Sequence, residues 1–556
     1  MSVSWPRRGE VAWRAVRWMP QRPQLPAEAL LLLTSAYFLV ACNGAFWQAV
    51  HAAGASPRLQ LSLAVAVFCL HAALIGLFAW GRLAKPLLAL LLVSTAAAAW
   101  CMDRYAVLFD VEMVRNVLST DVAESRELLG AGMVLRVALA GLLPAALVLA
   151  VRVPAVPFWR ALRDRAAFLA AMLLLAACAL GLSSQGVFAL MRSDHALRYR
   201  ITPGNYIVSL ARTLAPDERA HAGPKTPVAA DARRVGATHR RPRVVVLVVG
   251  ETVRGDHWGL NGYARQTTPQ LAAREVVNFP DVQACGTSTE VSLPCMFSAF
   301  GRERYDRAAI RSHESLLDVL ARAGVGVLWR DNQSGCKGVC DGVGMQTMAA
   351  GRDDALCRAG RCLDEILLSG LAERIDAAPD DLLVVLHQLG NHGPNYFERY
   401  PQAYERWRPT CRTPELSRCS REELVNAYDN AVLYTDAFLG QVIDLLARQR
   451  SHDAAMLYVS DHGESLGEYG LYLHGAPYAI APKQQLHVPM TLWLSDAYAA
   501  GAGIDRGCLG AGAAAPRSHD DLFHSLLAMF DVATRDYRPE RDLFRSCRAQ
   551  AAAAAG

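Results

Sequence analysis

The chain has 556 residues, 52% of them apolar, and a formal net charge of +5. That length suits two or three domains with a sizeable core. The charge is modest and no basic stripe with interleaved aromatics appears, which excludes nucleic acid as a partner.

Residues 1–190 hold long apolar runs with few charges, and the remainder reads as a soluble domain. Segments near 28–49, 59–81, 84–102, 132–151 and 166–186 are apolar enough to cross a bilayer, which takes about 20 residues. The first is too long for a secretory signal, and more spans follow it. Basic loops set the topology. Arg7, Arg8, Arg14, Arg17 and Arg22 precede span one, Arg82 and Lys85 follow span two, and Arg152, Arg160, Arg163 and Arg165 follow span four. These belong in the cytoplasm. Loop 103–131 is acid-rich and falls outside, as does everything after about residue 187. The expected layout is a membrane domain at 1–190, a linker and bridging helix at 191–242, an outer domain at 243–548 and a frayed tail at 549–556. The early linker is expected to be helical along the membrane (Tyr199, Tyr206, Ile207, Leu210), and the stretch from Pro216 to Pro242 an exposed connection.

Of 14 cysteines, Cys42, Cys69, Cys101 and Cys178 lie in or beside spans. The other ten lie in the outer domain, as the short-range pairs Cys285/Cys295, Cys336/Cys340, Cys357/Cys362 and Cys411/Cys419, with Cys508 and Cys547 left as a long-range pair. An even count at short spacings suits disulfides in an oxidising compartment. None of the spacings is the Cys-x-x-Cys of a zinc knuckle.

In the outer domain the apolar runs Val244–Val249, Val325–Trp329, Leu382–Leu386 and Ala455–Val459 alternate with helix-length stretches at 314–323, 362–376 and 421–448. This is the pattern of a parallel sheet with helices on both faces. Such sheets bind ligands beyond the carboxyl ends of their strands. There the chain places Glu251, Asp331-Asn332, His387, His392 and Asp461-His462. Glu251, Asp461 and His462 offer two oxygens and one nitrogen, a set suited to Zn²⁺ or Mn²⁺. The segment from Cys285 to Cys295 packs Thr287, Ser288, Thr289 and Ser292 between two cysteines. A hydroxyl at its free pKa is a weak nucleophile, and a metal in contact would activate it. His392 and His474, in glycine-flanked turns, would grip a phosphate or a second metal. Each feature alone has an ordinary reading. An Asp-His pair after a strand is common, Glu251 could neighbour a helix cap, and His392 could be a plain loop histidine. Their convergence at one sheet edge is the specific signal, and it leaves the choice among the four hydroxyls open.

The motifs Gly250-Glu251-Thr252-x-Arg254, Cys285-Gly286-Thr287-Ser288-Thr289, Pro294-Cys295-Met296-Phe297-Ser298, Asp331-Asn332-Gln333-Ser334-Gly335-Cys336-Lys337-Gly338, Gly390-Asn391-His392-Gly393-Pro394 and Ser460-Asp461-His462-Gly463-Glu464-Ser465 are ordered along the chain. In them the chain resembles the phosphoethanolamine transferases of Gram-negative bacteria, above all the lipid A group that includes the mobile colistin-resistance enzymes. The resemblance implies an α-helical membrane domain of five transmembrane helices plus an α/β/α alkaline-phosphatase/sulfatase-like periplasmic domain. It implies an inner-membrane enzyme with a cytoplasmic N-terminus, and the four short-range cysteine pairs as disulfides. Cys508 and Cys547 have no clear counterpart.

Carried over by position, Thr289 is the nucleophile. Glu251, Asp461 and His462 are zinc ligands, with the Thr289 oxygen as the fourth. Lys337, His392 and His474 contact the phosphoethanolamine group or a second zinc. Asn116, Thr120 and Glu124 bind the donor, and their i, i+4, i+8 spacing puts them on one helical face, although a solvated helix face would explain that stripe equally. The implied reaction passes phosphoethanolamine from phosphatidylethanolamine to Thr289 and then to a lipid A phosphate, by a monomer. Added ethanolamine masks phosphate charge, so cationic peptides such as polymyxin are attracted less. Related transferases with the same catalytic residues modify inner-core heptose, Kdo or a periplasmic glycan, and the acceptor is not legible here. A sulfatase would need Cys/Ser-x-Pro-x-Arg, and Ser292-Leu293-Pro294-Cys295-Met296 has Met in place of Arg. A lipoteichoic-acid-type polymerase is disfavoured by the cysteine pairs and the Asn391-His392-Gly393-Pro394 turn. A non-catalytic scaffold would not retain the full ligand set.

Overall fold

An unbroken run of branched apolar side chains, as at Val244–Val249, makes a strand covered on both faces. In the computed structural model, β1 (Arg243–Gly250) is buried along its whole length inside an eight-stranded sheet. The structure describes residues 23–548 apart from 121, 195, 216–223, 236–240, 349–354 and 359–360. Arg7, Arg8, Arg14, Arg17 and Arg22 and the tail 549–556 therefore lie outside the described residues.

The remaining strands are β2 (Val277–Gln283), β3 (Gly326–Asp331), β4 (Gly344–Thr347), β5 (Leu382–His387), β6 (Asp453–Ser460), β7 (His487–Leu494) and β8 (Arg517–Ser518). Their order across the sheet is β8-β2-β7-β6-β1-β5-β3-β4. Strand β7 pairs antiparallel with β6 and β2, and every other pairing is parallel. The four predicted strands are thus β6, β1, β5 and β3, side by side at the centre. Val245, Leu247 and Val249 point into a core with Leu316, Leu320 and Phe523. Val244, Val246 and Val248 point the other way, against Leu424, Val432 and Phe438. Those three belong to the helix Arg421–Ala447, which starts on a capping box formed by Ser420 and Glu423.

Four helices, Pro57–Phe78, Gly81–Tyr105, Ala131–Ala150 and Phe158–Leu182, are long and apolar enough to cross a membrane, and the bent pair Ala27–Ala41 and Gly44–Ala52 makes a fifth. The 55° bend falls at Asn43. Its amide donates to the Phe38 and Thr202 carbonyls at 2.9 and 2.6 Å and accepts from Thr202 N–H at 3.0 Å. The side chain replaces the helical bonds lost at the break and ties the linker to it. The last helix starts at Phe158 and ends at Leu182, eight residues ahead of the predicted start at 166. Its first turns carry Arg165, whose guanidinium donates to the Gly76 and Ala79 carbonyls at the end of Pro57–Phe78. A cation at a helix C-terminus is favourable, so a basic residue is accommodated where hydropathy argued against helix.

Two other expectations are corrected. The segment after Pro216 is not wholly an exposed connection: Val228 and Ala229 are buried in the main core, and Arg233–Arg234 pairs antiparallel with Val532–Ala533. A few apolar side chains suffice for this, too few to show as periodicity. Asn116, Thr120 and Glu124 do not share one helix. The chain leaves Val111–Ser119 at Thr120, which is extended, and starts again at Val122–Leu128. The Ser119 and Thr120 hydroxyls bond back to the carbonyls of Arg115 and Asn116, local bonds that compete with the helix. The predicted bridging helix forms at Gly204–Leu214 and packs on Val111–Ser119, with Ser209 Oγ donating to Phe109 O at 3.0 Å.

All five cysteine pairs are joined, Cys508–Cys547 included, and Cys42, Cys69, Cys101 and Cys178 are free.

Candidate active site

Strands β1 and β6 are parallel neighbours with Gly250 opposite Ser460. The residues that follow them, Glu251 and Asp461-His462, therefore land side by side, and all three are fully buried. Thr252 holds them there in a left-handed conformation, φ 62°. Its N–H donates to Asp461 Oδ1 at 3.1 Å and its hydroxyl to Glu251 Oε1. The His462 N–H also donates to Asp461 Oδ1, at 2.7 Å, while Asp461 Oδ2 is buried with no hydrogen-bond partner. The His462 Nδ1–H donates to Gly463 O at 2.9 Å, which leaves Nε2 as a lone-pair donor facing the site.

Thr289 opens the helix Thr289–Met296, all eight residues of which are buried. The Cys285–Cys295 disulfide ties the preceding loop to the last turn of that helix. At the first helical position the positive end of the helix dipole lies beside the hydroxyl and favours negative charge there. Thr289 Oγ1 donates to Glu251 Oε2 at 3.0 Å and lies 3.4 Å from His462 Nε2. The other hydroxyls of the segment are turned elsewhere. Thr287 donates to Ala476 O and Ser292 to Asp461 O, and the Ser288 side chain makes no cap bond.

Several separations among these side chains have the size that a bound cation requires. His462 Nε2 is 3.5 Å from Glu251 Oε1 and 3.3 Å from Asp461 Oδ2. Ligands bound at about 2.0–2.1 Å around zinc stand roughly 3.3 Å apart, the same scale as the 3.0–3.5 Å from Thr289 to Glu251 and from His462 to Thr289, Glu251 and Asp461. The orphaned Asp461 Oδ2 is a buried oxygen that a cation would satisfy. Burial pushes Asp461 up to about 6, and the charge of Glu251 adds to that; a cation between them relieves the repulsion. His474 lies on the open side, its ring 4.3 Å from that of His462. Single donor atoms of Glu251, His462 and His474 fall within 4.8 Å of one another, so His474 offers a further ligand.

The rim comes from two directions. His392 Nε2 meets Glu124 Oε1 at 3.2 Å, and His392 Nδ1 is buried without a hydrogen-bond partner. Burial alone would lower His392, but the Glu124 carboxylate raises it. The Lys337 ammonium donates to Ser334 Oγ at 2.8 Å, within electrostatic reach of Glu124. Thr120 bonds to the Asn116 carbonyl. Among the described residues, Glu124 is the one of the predicted donor-binding trio whose side chain hydrogen-bonds a site residue.

Three further residues brace the site. Gln333 Nε2 donates to Glu251 Oε2 at 3.0 Å. Buried Glu464 accepts from His474 Nδ1 at 3.1 Å. His519, far along the chain, accepts the Cys285 N–H at Nδ1 (3.1 Å) and donates from Nε2 to Ser460 O (3.0 Å). Burial pushes His519 down to about 4, so it is neutral and its two nitrogens can play these opposite roles. No motif spacing announces it. His519→Ala cuts a side-chain link between Cys285, at the base of the nucleophile loop, and Ser460, at the end of β6. A displacement of about 1 Å can cost roughly 10²-fold in rate. The expected result is kcat down by about that factor with metal content unchanged; equal losses of metal and activity would point to a wider structural role.

Known proteins can be set against this geometry. A family profile described as "Phosphoethanolamine transferase EptA/EptB" matches residues 67–217, and one described as "Sulfatase" matches residues 243–532. Phosphoethanolamine transferase EptA of Escherichia coli (strain K12) is 37% identical over 538 residues, 95% of this chain and 98% of its own. Phosphatidylethanolamine transferase Mcr-1 of Escherichia coli is 39% identical over 472 residues, 83% of this chain and 86% of its own. The solved structure of the integral membrane protein lipooligosaccharide phosphoethanolamine transferase A (EptA) from Neisseria meningitidis superposes with a TM-score of 0.91 and 39% identity, over 95% of this chain and all of that one. With 95% of the chain covered by a relative 37% identical to it and 95% by a solved structure at a TM-score of 0.91, the chain belongs to the phosphoethanolamine transferase family.

Proposed function

We propose that this protein transfers phosphoethanolamine from phosphatidylethanolamine to a phosphate of lipid A, through a covalent ester on Thr289. The observation that carries the reading is the Thr289 hydroxyl, 3.0 Å from Glu251 Oε2 and 3.4 Å from His462 Nε2, at the head of a buried helix. Helices joined to the membrane spans roof this site, which suits two lipid substrates. The domain would lie in the periplasm, with the N-terminus in the cytoplasm.

Glu251, Asp461, His462 and Thr289 would hold one Zn²⁺, and His474 would be available to a second, while His392, bonded to Glu124 through Nε2, keeps Nδ1 for the phosphoethanolamine group. Zinc bound there supplies a Lewis acid for phosphoryl oxygens. The Thr289 hydroxyl hydrogen points at Glu251 Oε2, and the proton leaves along that bond. Oγ attacks the donor phosphorus, the bond from phosphorus to the glycerol oxygen breaks, and diacylglycerol departs with a proton from His392 Nδ1. An acceptor phosphate oxygen then attacks the phosphorus of the threonine ester. The bond to Oγ breaks, and Thr289 regains its proton. Lys337 and the helix start offset charge on the phosphoryl group. Sulfate-ester chemistry is disfavoured by the same geometry: Cys295 is locked in a disulfide, Ser292 is bonded to Asp461 O, and Met296 stands where that chemistry needs an arginine.

Mass spectrometry of lipid A from a host expressing the full chain should show added phosphoethanolamine, together with lowered polymyxin sensitivity. Phosphoethanolamine found only on heptose, Kdo or a glycan would replace the acceptor and keep the reaction.

A further inference from the structure

Behind the site, across the loop that follows β5, lies a cavity of about 810 Å³. Its walls include five arginines from four separate segments: Arg126, Arg358, Arg361, Arg399 and Arg412. Arg126 stands on the second roof helix, Arg358 and Arg361 on a hairpin closed by Cys357–Cys362, and Arg412 on the loop closed by Cys411–Cys419.

The carboxylates in the walls are already engaged. Glu127 pairs with both Arg361 and Arg399, and Glu405 with Arg412 at 2.7 Å. Asp364 accepts the N–H groups of Leu389 and Gly390, and Glu398 accepts from Asn395. Arg126 and Arg358 are exposed and have no carboxylate partner among the described residues. Two guanidinium groups with no carboxylate partner among the described residues therefore face a cavity whose other wall charges are three arginines and four carboxylates, and the five arginines together leave the walls with one net positive charge.

Its position is as telling as its charge. Arg126 lies five residues before Ala131, where the span Ala131–Ala150 begins. Five residues with a helix break at Leu129–Gly130 span at most about 17 Å, so Arg126 stays near the start of the span. The Cys411–Cys419 loop rests on the start of that span, with Gly132 N–H donating to Glu415 Oε1 at 3.1 Å, and on the end of the span Gly81–Tyr105, with Tyr105 OH donating to Pro414 O at 3.0 Å. At the far end the cavity abuts the site. Arg399 Nε donates to His392 O at 2.7 Å. Gly390, with φ +50°, lies so near Glu251 that a Cβ there would come within 2.9 Å of the Glu251 carbonyl.

We propose that this cavity docks the acceptor, a membrane-anchored glycolipid that carries a second phosphate besides the one being modified, and that Arg126 and Arg358 hold the second phosphate. The inference rests on the transfer reaction proposed above. Guanidinium groups recognise phosphate oxygens two at a time. The donor does not fit the same place: its single phosphate must sit at Thr289, and its head group ends in an ammonium that arginines repel. The volume also exceeds what one phosphoethanolamine group needs and accommodates sugar rings.

The test uses the full-length protein in vesicles of phosphatidylcholine and phosphatidylethanolamine, with bisphosphorylated or monophosphorylated lipid A added. Arg126→Glu/Arg358→Glu is compared with Arg126→Lys/Arg358→Lys. Diacylglycerol release without acceptor reads the first half-reaction, and the acceptor titration reads the second. The expected result is an unchanged first half-reaction, an acceptor KM raised about tenfold or more by charge reversal, and a smaller rise with lysine. Wild-type preference for the bisphosphorylated acceptor should vanish in the reversed variant. An unchanged acceptor KM, or a first half-reaction that falls in step with transfer, overturns the assignment. Wild-type protein that releases diacylglycerol yet modifies neither lipid A overturns the lipid A reading itself, a result separable from the variant comparison.

Discussion

Thr289→Ala is expected to end transfer, by a factor on the order of 10⁴ to 10⁶, while the protein stays folded and keeps most of its metal. The reason is geometric. Thr289 Oγ1 is the one hydroxyl of the Cys285–Cys295 segment that meets Glu251 and His462. Its removal takes the nucleophile away but leaves Glu251, Asp461 and His462 in place. The substitution removes the hydroxyl and the γ-methyl, and Glu251 Oε2 retains the Gln333 amide at 3.0 Å, so the stability cost stays at about 1–2 kcal/mol. Thr289→Ser keeps the oxygen but loses the methyl that restricts χ1, and should retain reduced activity. Incubation of wild-type protein with donor alone should put phosphoethanolamine on the peptide containing Thr289 and on no other residue. Modification of Thr287, Ser288 or Ser292 instead would transfer the nucleophile's role and leave the reaction class intact.

The centre of the fold was readable because a fully covered parallel strand must be apolar throughout. The four runs that met this condition are the four adjacent strands β6, β1, β5 and β3. Strands β2 and β7 were hidden by Pro280 and Pro489, which demote a run on sequence grounds; the register of β7 against β2 shifts between Val488 and Met490 to accommodate the second. Strands β4 and β8 are too short or too exposed to carry a pattern. The convergence of Glu251, Asp461 and His462 was legible for a related reason, since strand ends fix where the next residue goes. His519 and Gln333 were not, because they act through the backbone or through another side chain and need no fixed spacing. Thr120 shows the limit of periodicity, which detects a shared face but not a break within it. The cluster of Arg361, Arg399 and Arg412 was visible only as scattered charge, since two loops and a disulfide hairpin bring them together.

Removing one carboxylate from the metal set should reverse an order of stability as well as stop the reaction. With zinc present, Asp461→Asn or Glu251→Ala is expected to lose most bound metal and to cut transfer on the order of 10³-fold or more. The wild-type protein gains stability from the bound ion, about 2.7 kcal/mol at a hundredfold excess over Kd and about 4.1 at a thousandfold. A chelator should therefore lower the wild-type Tm and leave that of Asp461→Asn nearly unmoved. Without zinc the comparison turns round. Glu251 and Asp461 are both fully buried and repel each other. Asparagine keeps an oxygen for the Thr252 and His462 N–H groups and removes the charge, so the metal-free variant should melt at or above the metal-free wild type. Elemental analysis and melting curves with and without chelator decide the matter. Full zinc occupancy in Glu251→Ala, or a chelator-induced fall of equal size in both proteins, would sink the ligand assignment, since each requires the ion to be held without the carboxylate that was removed.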